Sequence, residues 1–170
     1  MSLKCTHGPL GRGPQRGRDM ATILDASHVC FDVACKTRDE ALQFAADKAV
    51  ELGASSDAKA LFDGLKAREG EGSTGMMSGF AIPHCKSASV SEPCVIVLRF
   101  AEPVDWETVD NHPVTAAIAL FIPDGPAAAE HLSILSKIAV MLMHDDFCQV
   151  VKESTDPQQV VDAVNEGLAK

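Results

Sequence analysis

Apolar and polar residues alternate through Leu24–Cys35, where Val29, Phe31 and Val33 stand against Cys30, Asp32 and Ala34. A period of two is that of a strand with one face on a core. Thr37 and Glu40 then form a capping box, whose hydroxyl and carboxylate satisfy free N–H groups at a helix start. Leu42, Ala45, Ala49 and Leu52 continue it as an apolar stripe that ends at Gly53. Ser55, Ser56 and Asp57 offer caps for a second helix through Leu61, Phe62 and Leu65, which Gly70 is expected to stop shortly after Arg68. Phe80-Ala81-Ile82 reads as a short strand delivering Pro83-His84 at its end. Cys94–Phe100 and Val114–Ile122 are rich in apolar and β-branched residues and read as buried strands. Between them, Val104-Asp105-Trp106 and Asp110-Asn111-His112-Pro113 have hairpin character, with Trp106 as its anchor.

The 3.6-residue period returns over Ala127–Met143, with Leu132, Leu135, Ala139 and Leu142 on one stripe and Ile134, Ile138 and Met141 widening it. Phe147–Glu153 reads as a short helix. Thr155-Asp156-Pro157 opens a last one that packs Val160, Val161, Val164 and Leu168 inward. This order of elements predicts an α/β fold, a mixed parallel and antiparallel sheet of about five strands with helices on both faces. There are no internal repeats.

Composition narrows the classes. A chain of 170 residues with 46% hydrophobic content suits one domain, assigned to residues 20–170. Residues 1–19 carry Arg12, Arg16 and Arg18 among glycines and prolines, so they are set apart as a disordered basic extension or an artificial leader, with no apolar segment adequate for a signal peptide. The longest apolar run, Val114–Ile122, is too short to span a bilayer. The six cysteines contain no Cys-x-x-Cys pair and read as reduced thiols in a cytoplasmic protein. A net charge of −9 disfavours nucleic acid as a partner and suits a basic protein.

The candidate chemistry lies in Arg68–Lys86. Gly70, Gly72, Gly75 and Gly79 allow sharp turns and close approach to a ligand, and Pro83 restricts the chain just before His84. No Gly-x-x-x-x-Gly-Lys-Ser/Thr occurs, so this is not a nucleotide phosphate loop. Arg68, near a helix C-terminus, is suited either to the helix dipole or to an anion, and Lys86 is a further cation near His84. Cys85 neighbours His84 in an extended segment and is expected to face the opposite way. His131 falls in the first turns of its helix, where an imidazole is disposed to stay neutral and bond an anion. His112, before a proline in a polar turn, is assigned to the surface, and His144 to the dipole at the end of the Ala127–Met143 helix.

Arg68-Glu69, then Ser73-Thr74-Gly75, then Gly79-Phe80-Ala81-Ile82-Pro83-His84 resembles the active-site signature of the mannitol/fructose-type enzyme IIA of the phosphoenolpyruvate-dependent sugar phosphotransferase system. The likeness extends over roughly Leu24–Leu168, with Glu130-His131-Leu132 and Leu135 matching the family's second histidine region. It implies that His84 attacks phospho-HPr through Nε2 and hands the phosphoryl group to a cysteine of a separate enzyme IIB or IIBC. The other ring nitrogen would be held by a neighbouring carbonyl or hydroxyl. His131 would orient or stabilise the phosphoryl group, and Arg68 would offset its charge. No metal or cofactor is implied. Trp106, Asp110 and the spacing around His131 look most like the fructose branch. Two other readings stand beside it: a regulatory, nitrogen-type enzyme IIA that signals by its phosphorylation state, and a Cys/His metal-binding module, for which the ligand spacing is poor.

Overall fold

The computed structural model describes residues 23–170; the assignment made for residues 1–19 lies outside them. A 3-10 turn at Ala26–His28 leads into β1 (Val29–Val33), α1 (Arg38–Glu51), α2 (Ala58–Glu71), β2 (Phe80–Ala81), β3 (His84–Ser87), β4 (Cys94–Val104), β5 (Val114–Pro123), α3 (Ala128–Met141), α4 (Asp145–Glu153) and α5 (Pro157–Ala169). The sheet runs β1-β4-β5-β2, with β3 also on β5. Only β4 and β5 are antiparallel; β1 on β4, and β2 and β3 on β5, are parallel. The expected mixed α/β sheet of five strands is therefore the observed one.

Side-chain alternation sorts the sheet into two cores. Phe80, Ile82, Val95, Val97, Ile118, Leu120 and Ile122 pack against α3, α4 and α5. Ala81, Cys85, Ile96, Leu98, Ala119 and Phe121 pack against α1 and α2. Helices thus cover both faces. β1 breaks the alternation: Asp32 takes φ 55 and the register shifts between Cys30 and Val33. This bulge sends Val33 to the α1/α2 side, whereas Val29 and Phe31 stay on the other.

The caps explain most boundaries. The Thr37 hydroxyl accepts from the Glu40 N–H at 3.1 Å, while the Glu40 carboxylate reaches the Lys36 N–H at 2.6 Å. Gly53 closes α1 with φ 83, and Asp57 caps α2 by accepting from the Ala60 N–H. Gly70 does not stop α2 as expected. It is helical and exposed, and the stop is Gly72, whose φ of 154 favours glycine. His144 also differs from expectation: it is exposed and forms the N-cap position of α4, so its ring lies where one helix dipole ends and the next begins. β4 reaches Val104, which pairs with Val114 across the hairpin, and Trp106 is buried beyond it. His112 is exposed, as assigned. Among the described residues, no helix is long and apolar enough to cross a membrane.

Candidate functional site

β2 and β3 lie end to end along one margin of the sheet. Phe80 and Ala81 face Ala116 and Ala117, and His84 and Cys85 face Leu120 and Phe121, so the register on β5 is unchanged across the gap. The gap is Ile82-Pro83. Proline has no N–H to give the ladder, and its carbonyl accepts from Leu120 at 2.9 Å to restart the pairing. His84 therefore begins a strand rather than ending one, and Ile82, whose N–H bonds the Thr74 carbonyl on the side away from β5, turns its own carbonyl outward and clear of the ladder.

That carbonyl fixes the ring. His84 Nδ1 lies 2.8 Å from the Ile82 oxygen, and Arg68 Nε lies 3.2 Å from His84 Nε2. A carbonyl can only accept and a guanidinium can only donate, so Nδ1 carries the proton and Nε2 presents its lone pair. Burial lowers the His84 pKa below its ordinary value, and the nearby Arg68 charge pushes it the same way, against the opposing Ile82 hydrogen bond. The imidazole is thus neutral and nucleophilic near pH 7.

Arg68 reaches this ring from the last turn of α2, with its Nη1 held by the Gly72 carbonyl at 2.7 Å. An open groove of about 340 Å³ lies over the pair, lined by Arg68 and Glu71 of α2, His84 and Lys86 of β3, Ile122 of β5 and Leu132 of α3. Lys86 is exposed and two residues from His84, so strand alternation places both on one side. Cys85 points the other way, as expected. Its Sγ lies 3.8 Å from the Leu61 carbonyl beneath α2, close enough to Gly64 that a Cβ there would be 3.2 Å away, and burial pushes its pKa up to about 12. It is an inert thiol at neutral pH.

His131 takes the fourth position of α3, and its own amide already bonds the Ala127 carbonyl. Its ring is half-buried, with Nδ1 buried and without a hydrogen-bond partner. Among the described residues it makes no hydrogen bond with His84 or Arg68; the α3 side chain on the groove is its neighbour Leu132. The structure thus joins Arg68 and His84 by a direct hydrogen bond that His131 does not share.

The glycine-rich loop before β2 is more ordered than its composition suggests. Glu69 is buried, and its carboxylate accepts from both the amide N–H (3.1 Å) and the hydroxyl of Thr74. The Thr74 carbonyl in turn accepts from the Ile82 N–H at 3.0 Å, and Met76 N–H donates to Phe80 at 2.7 Å. Gly75 is required by space, because a Cβ there would lie 2.0 Å from the Glu107 carbonyl oxygen. Sequence patterning missed Glu69 and Thr74. Their one signal was a Glu directly after Arg68 and a Thr inside a glycine-rich stretch, neither of which announces burial. Among the described residues, no three His, Cys, Asp or Glu side chains gather as metal ligands would.

Comparison with known proteins agrees with this geometry. The family model for the phosphoenolpyruvate-dependent sugar phosphotransferase system, EIIA 2, matches residues 22–167. The chain is 34% identical over 148 residues to the fructose-specific EIIA component of Haloferax volcanii, covering 87% of this chain and 96% of that one. Its fold is similar to the crystal structure of the nitrogen regulatory protein IIA-Ntr from Neisseria meningitidis, with TM-score 0.79 and 29% identity over 85% of this chain and 98% of that one. It is also similar to enzyme IIAMTL in a complex with phosphorylated enzyme IIBMTL from Escherichia coli, with TM-score 0.71 and 16% identity over 84% and 97%, a likeness of fold.

Proposed function

We propose, for a chain that belongs to the EIIA 2 family of the phosphoenolpyruvate-dependent sugar phosphotransferase system, that His84 carries a phosphoryl group between two proteins during sugar uptake of the fructose type. The donor is phospho-HPr and the acceptor a cysteine of a separate enzyme IIB. The observation that carries this reading is the His84 ring itself, neutral, locked as the Nδ1–H tautomer and offering Nε2 beside Arg68 on an open groove.

In the first step the Nε2 lone pair forms a bond to phosphorus as the donor's nitrogen–phosphorus bond breaks, and the proton stays on Nδ1, donated to the Ile82 carbonyl. In the second, the acceptor thiolate forms a sulfur–phosphorus bond and Nε2 recovers its lone pair. Arg68 must release Nε2 for the first step, and its guanidinium then meets the phosphoryl oxygens. Two unit charges about 4 Å apart gain roughly 4 kcal/mol at an effective dielectric constant near 20, before desolvation is subtracted. That gross attraction exceeds the net strength of one hydrogen bond from a charged donor to a neutral ring, about 1.5–3 kcal/mol, so a phosphate competes with His84 for Arg68. His131, on the helix that also supplies Leu132, orients the phosphoryl group once it is bound.

The fructose-type assignment is supported by the Haloferax volcanii relative, and the separate acceptor by the fold shared with an enzyme IIA described in complex with a phosphorylated enzyme IIB. The similarity to the Neisseria meningitidis nitrogen regulatory protein supports a second reading, in which the phosphorylation state of His84 is itself the signal. Supplying phosphoenolpyruvate, enzyme I and HPr tests the shared core: an acid-labile, base-stable phosphate should appear on the chain and vanish in His84→Ala. Onward transfer to a sugar-specific enzyme IIB then favours uptake. A stable complex with a kinase or transporter that changes on phosphorylation favours regulation.

A further inference from the structure

The hydrogen bonds around His84 close into a ring. Glu69 holds Thr74, the Thr74 carbonyl holds the Ile82 N–H, the Ile82 carbonyl holds His84 Nδ1, and Nε2 accepts from Arg68, which is joined to Glu69 by a peptide bond. We infer that Glu69 is a positioning residue, whose buried carboxylate sets the Thr74 loop and through it the tautomer and direction of the His84 ring. Its functional meaning rests on the phosphocarrier reading above.

A carboxylate at this place needs a reason. Burying one is costly unless it is hydrogen-bonded, and a negative charge one residue from Arg68 works against an incoming phosphate. What a carboxylate alone supplies is two acceptor oxygens for two donors of one residue. Glu69 grips Thr74 by its amide and its hydroxyl together, so both the backbone and the side chain of a loop residue are fixed. A glutamine of the same shape has one acceptor oxygen for the Thr74 amide and forces the Thr74 hydroxyl to turn and accept from its amide nitrogen. Both charge-assisted bonds then become weaker neutral ones, and Arg38 loses its carboxylate. The Arg38 guanidinium, with Nη1 4.0 Å from the Glu69 carboxylate, supplies a partial countercharge from α1. Glu69 also lies in the last turn of α2, so the clamp that orders the loop holds the helix end from which Arg68 reaches the ring. Loosening it would free the donor and the acceptor of the His84 ring at once.

The test is Glu69→Gln in the full chain, with the histidine rings labelled with ¹⁵N and the His84 signals assigned by their loss in His84→Gln. The wild-type ring should show the Nδ1–H tautomer. In Glu69→Gln that tautomer should give way to a mixture with Nε2–H, and the ring's titration should move towards the ordinary histidine range. Phosphorylation by phospho-HPr should slow by about 10- to 100-fold, the scale of a small misplacement of a reacting group, with the final yield of phosphate per chain kept. A folded Glu69→Gln with unchanged tautomer, titration and rate overturns the inference. If that variant does not fold, Thr74→Val removes the hydroxyl bond while keeping a branched side chain, and should shift the tautomer in the same direction; an unchanged tautomer there overturns it equally. A wild-type chain that phospho-HPr does not phosphorylate overturns the phosphocarrier reading and the transfer role of Glu69. The tautomer comparison needs no phosphate and decides the placement of the ring by itself.

Discussion

Arg68 Nε and His84 Nε2 are 3.2 Å apart and hydrogen-bonded, so the lone pair that makes the ring a nucleophile is covered by the cation best placed to receive a phosphate. One side chain holds the ring and would later hold the phosphoryl oxygens, and the two duties exclude one another in time.

Arg68→Ala should therefore act twice. Removing the guanidinium takes away a positive charge that lowers the His84 pKa and opens the ring to water, so titration of the His84 ring by NMR should move up towards its ordinary value. Transfer from phospho-HPr should fall by about 10²- to 10³-fold, the usual cost of losing one preorganised donor at a developing charge. A variant with wild-type kinetics would remove Arg68 from the proposed mechanism.

The lowered His84 pKa also sets a pH window. Between the folded value and the ordinary value of 6.5, the unfolded chain binds the extra proton and the folded chain does not, so stability rises with pH across that interval. The contribution is complete above 6.5 and is lost as pH falls through 6.5 towards the folded value. Denaturant midpoints of the wild type and His84→Gln should thus diverge with pH below 6.5 and run parallel above it. Parallel curves throughout would mean that the ring titrates as it would in the unfolded chain.

Cys85→Ser should retain phosphorylation by phospho-HPr, because the thiol, although Cys85 borders the groove, is buried beneath α2 with Sγ 3.8 Å from the Leu61 carbonyl. Its thiol, pushed up to about 12, should also resist alkylation at pH 8 in the folded chain. Complete loss of phosphorylation in the serine variant would contradict the strand alternation from which its orientation follows.

Two glycines separate space from conformation. Gly75→Ala places a methyl 2.0 Å from the Glu107 carbonyl oxygen and should destabilise the chain by about 1–3 kcal/mol, since rigid backbone must move. Gly70→Ala meets nothing within 4 Å in a helical, exposed position and should stabilise it by up to about 1 kcal/mol. Equilibrium urea unfolding of both variants checks the opposite signs.

His131→Ala should slow phosphoryl transfer while leaving His84 able to accept the group. Because the ring makes no hydrogen bond with His84, its loss should leave the His84 tautomer unchanged, which sets it apart from Glu69→Gln. Unchanged transfer rates would argue against the role proposed for His131.

Much of this was legible before any coordinates. The apolar, β-branched runs of β4 and β5, the Thr37 and Asp57 caps and the Gly53 stop depend on neighbours in sequence, and each formed as its pattern indicates. The pairing of Arg68 with His84 was legible only through the family resemblance, because no local period joins a helix end to a strand start sixteen residues on. Gly70 was misread because helix geometry at the last turn is decided by where the chain must go next, and Gly72 serves that turn. Glu69 and Thr74 were invisible for a different reason. A charged and a hydroxyl residue in a glycine-rich segment look solvated, and only the fold, by bringing them together, removes both from water.

The loop before β2 has one more effect. A sheet margin normally exposes a row of unpaired backbone groups to which a stray strand can attach, and proteins suppress this by covering or interrupting the row. Here the outward carbonyl of Phe80 accepts from the Met76 N–H and the outward N–H of Ile82 donates to the Thr74 carbonyl, so the loop lies along the margin at β2. The segment that orders the imidazole thus also leaves little of that margin open to self-association.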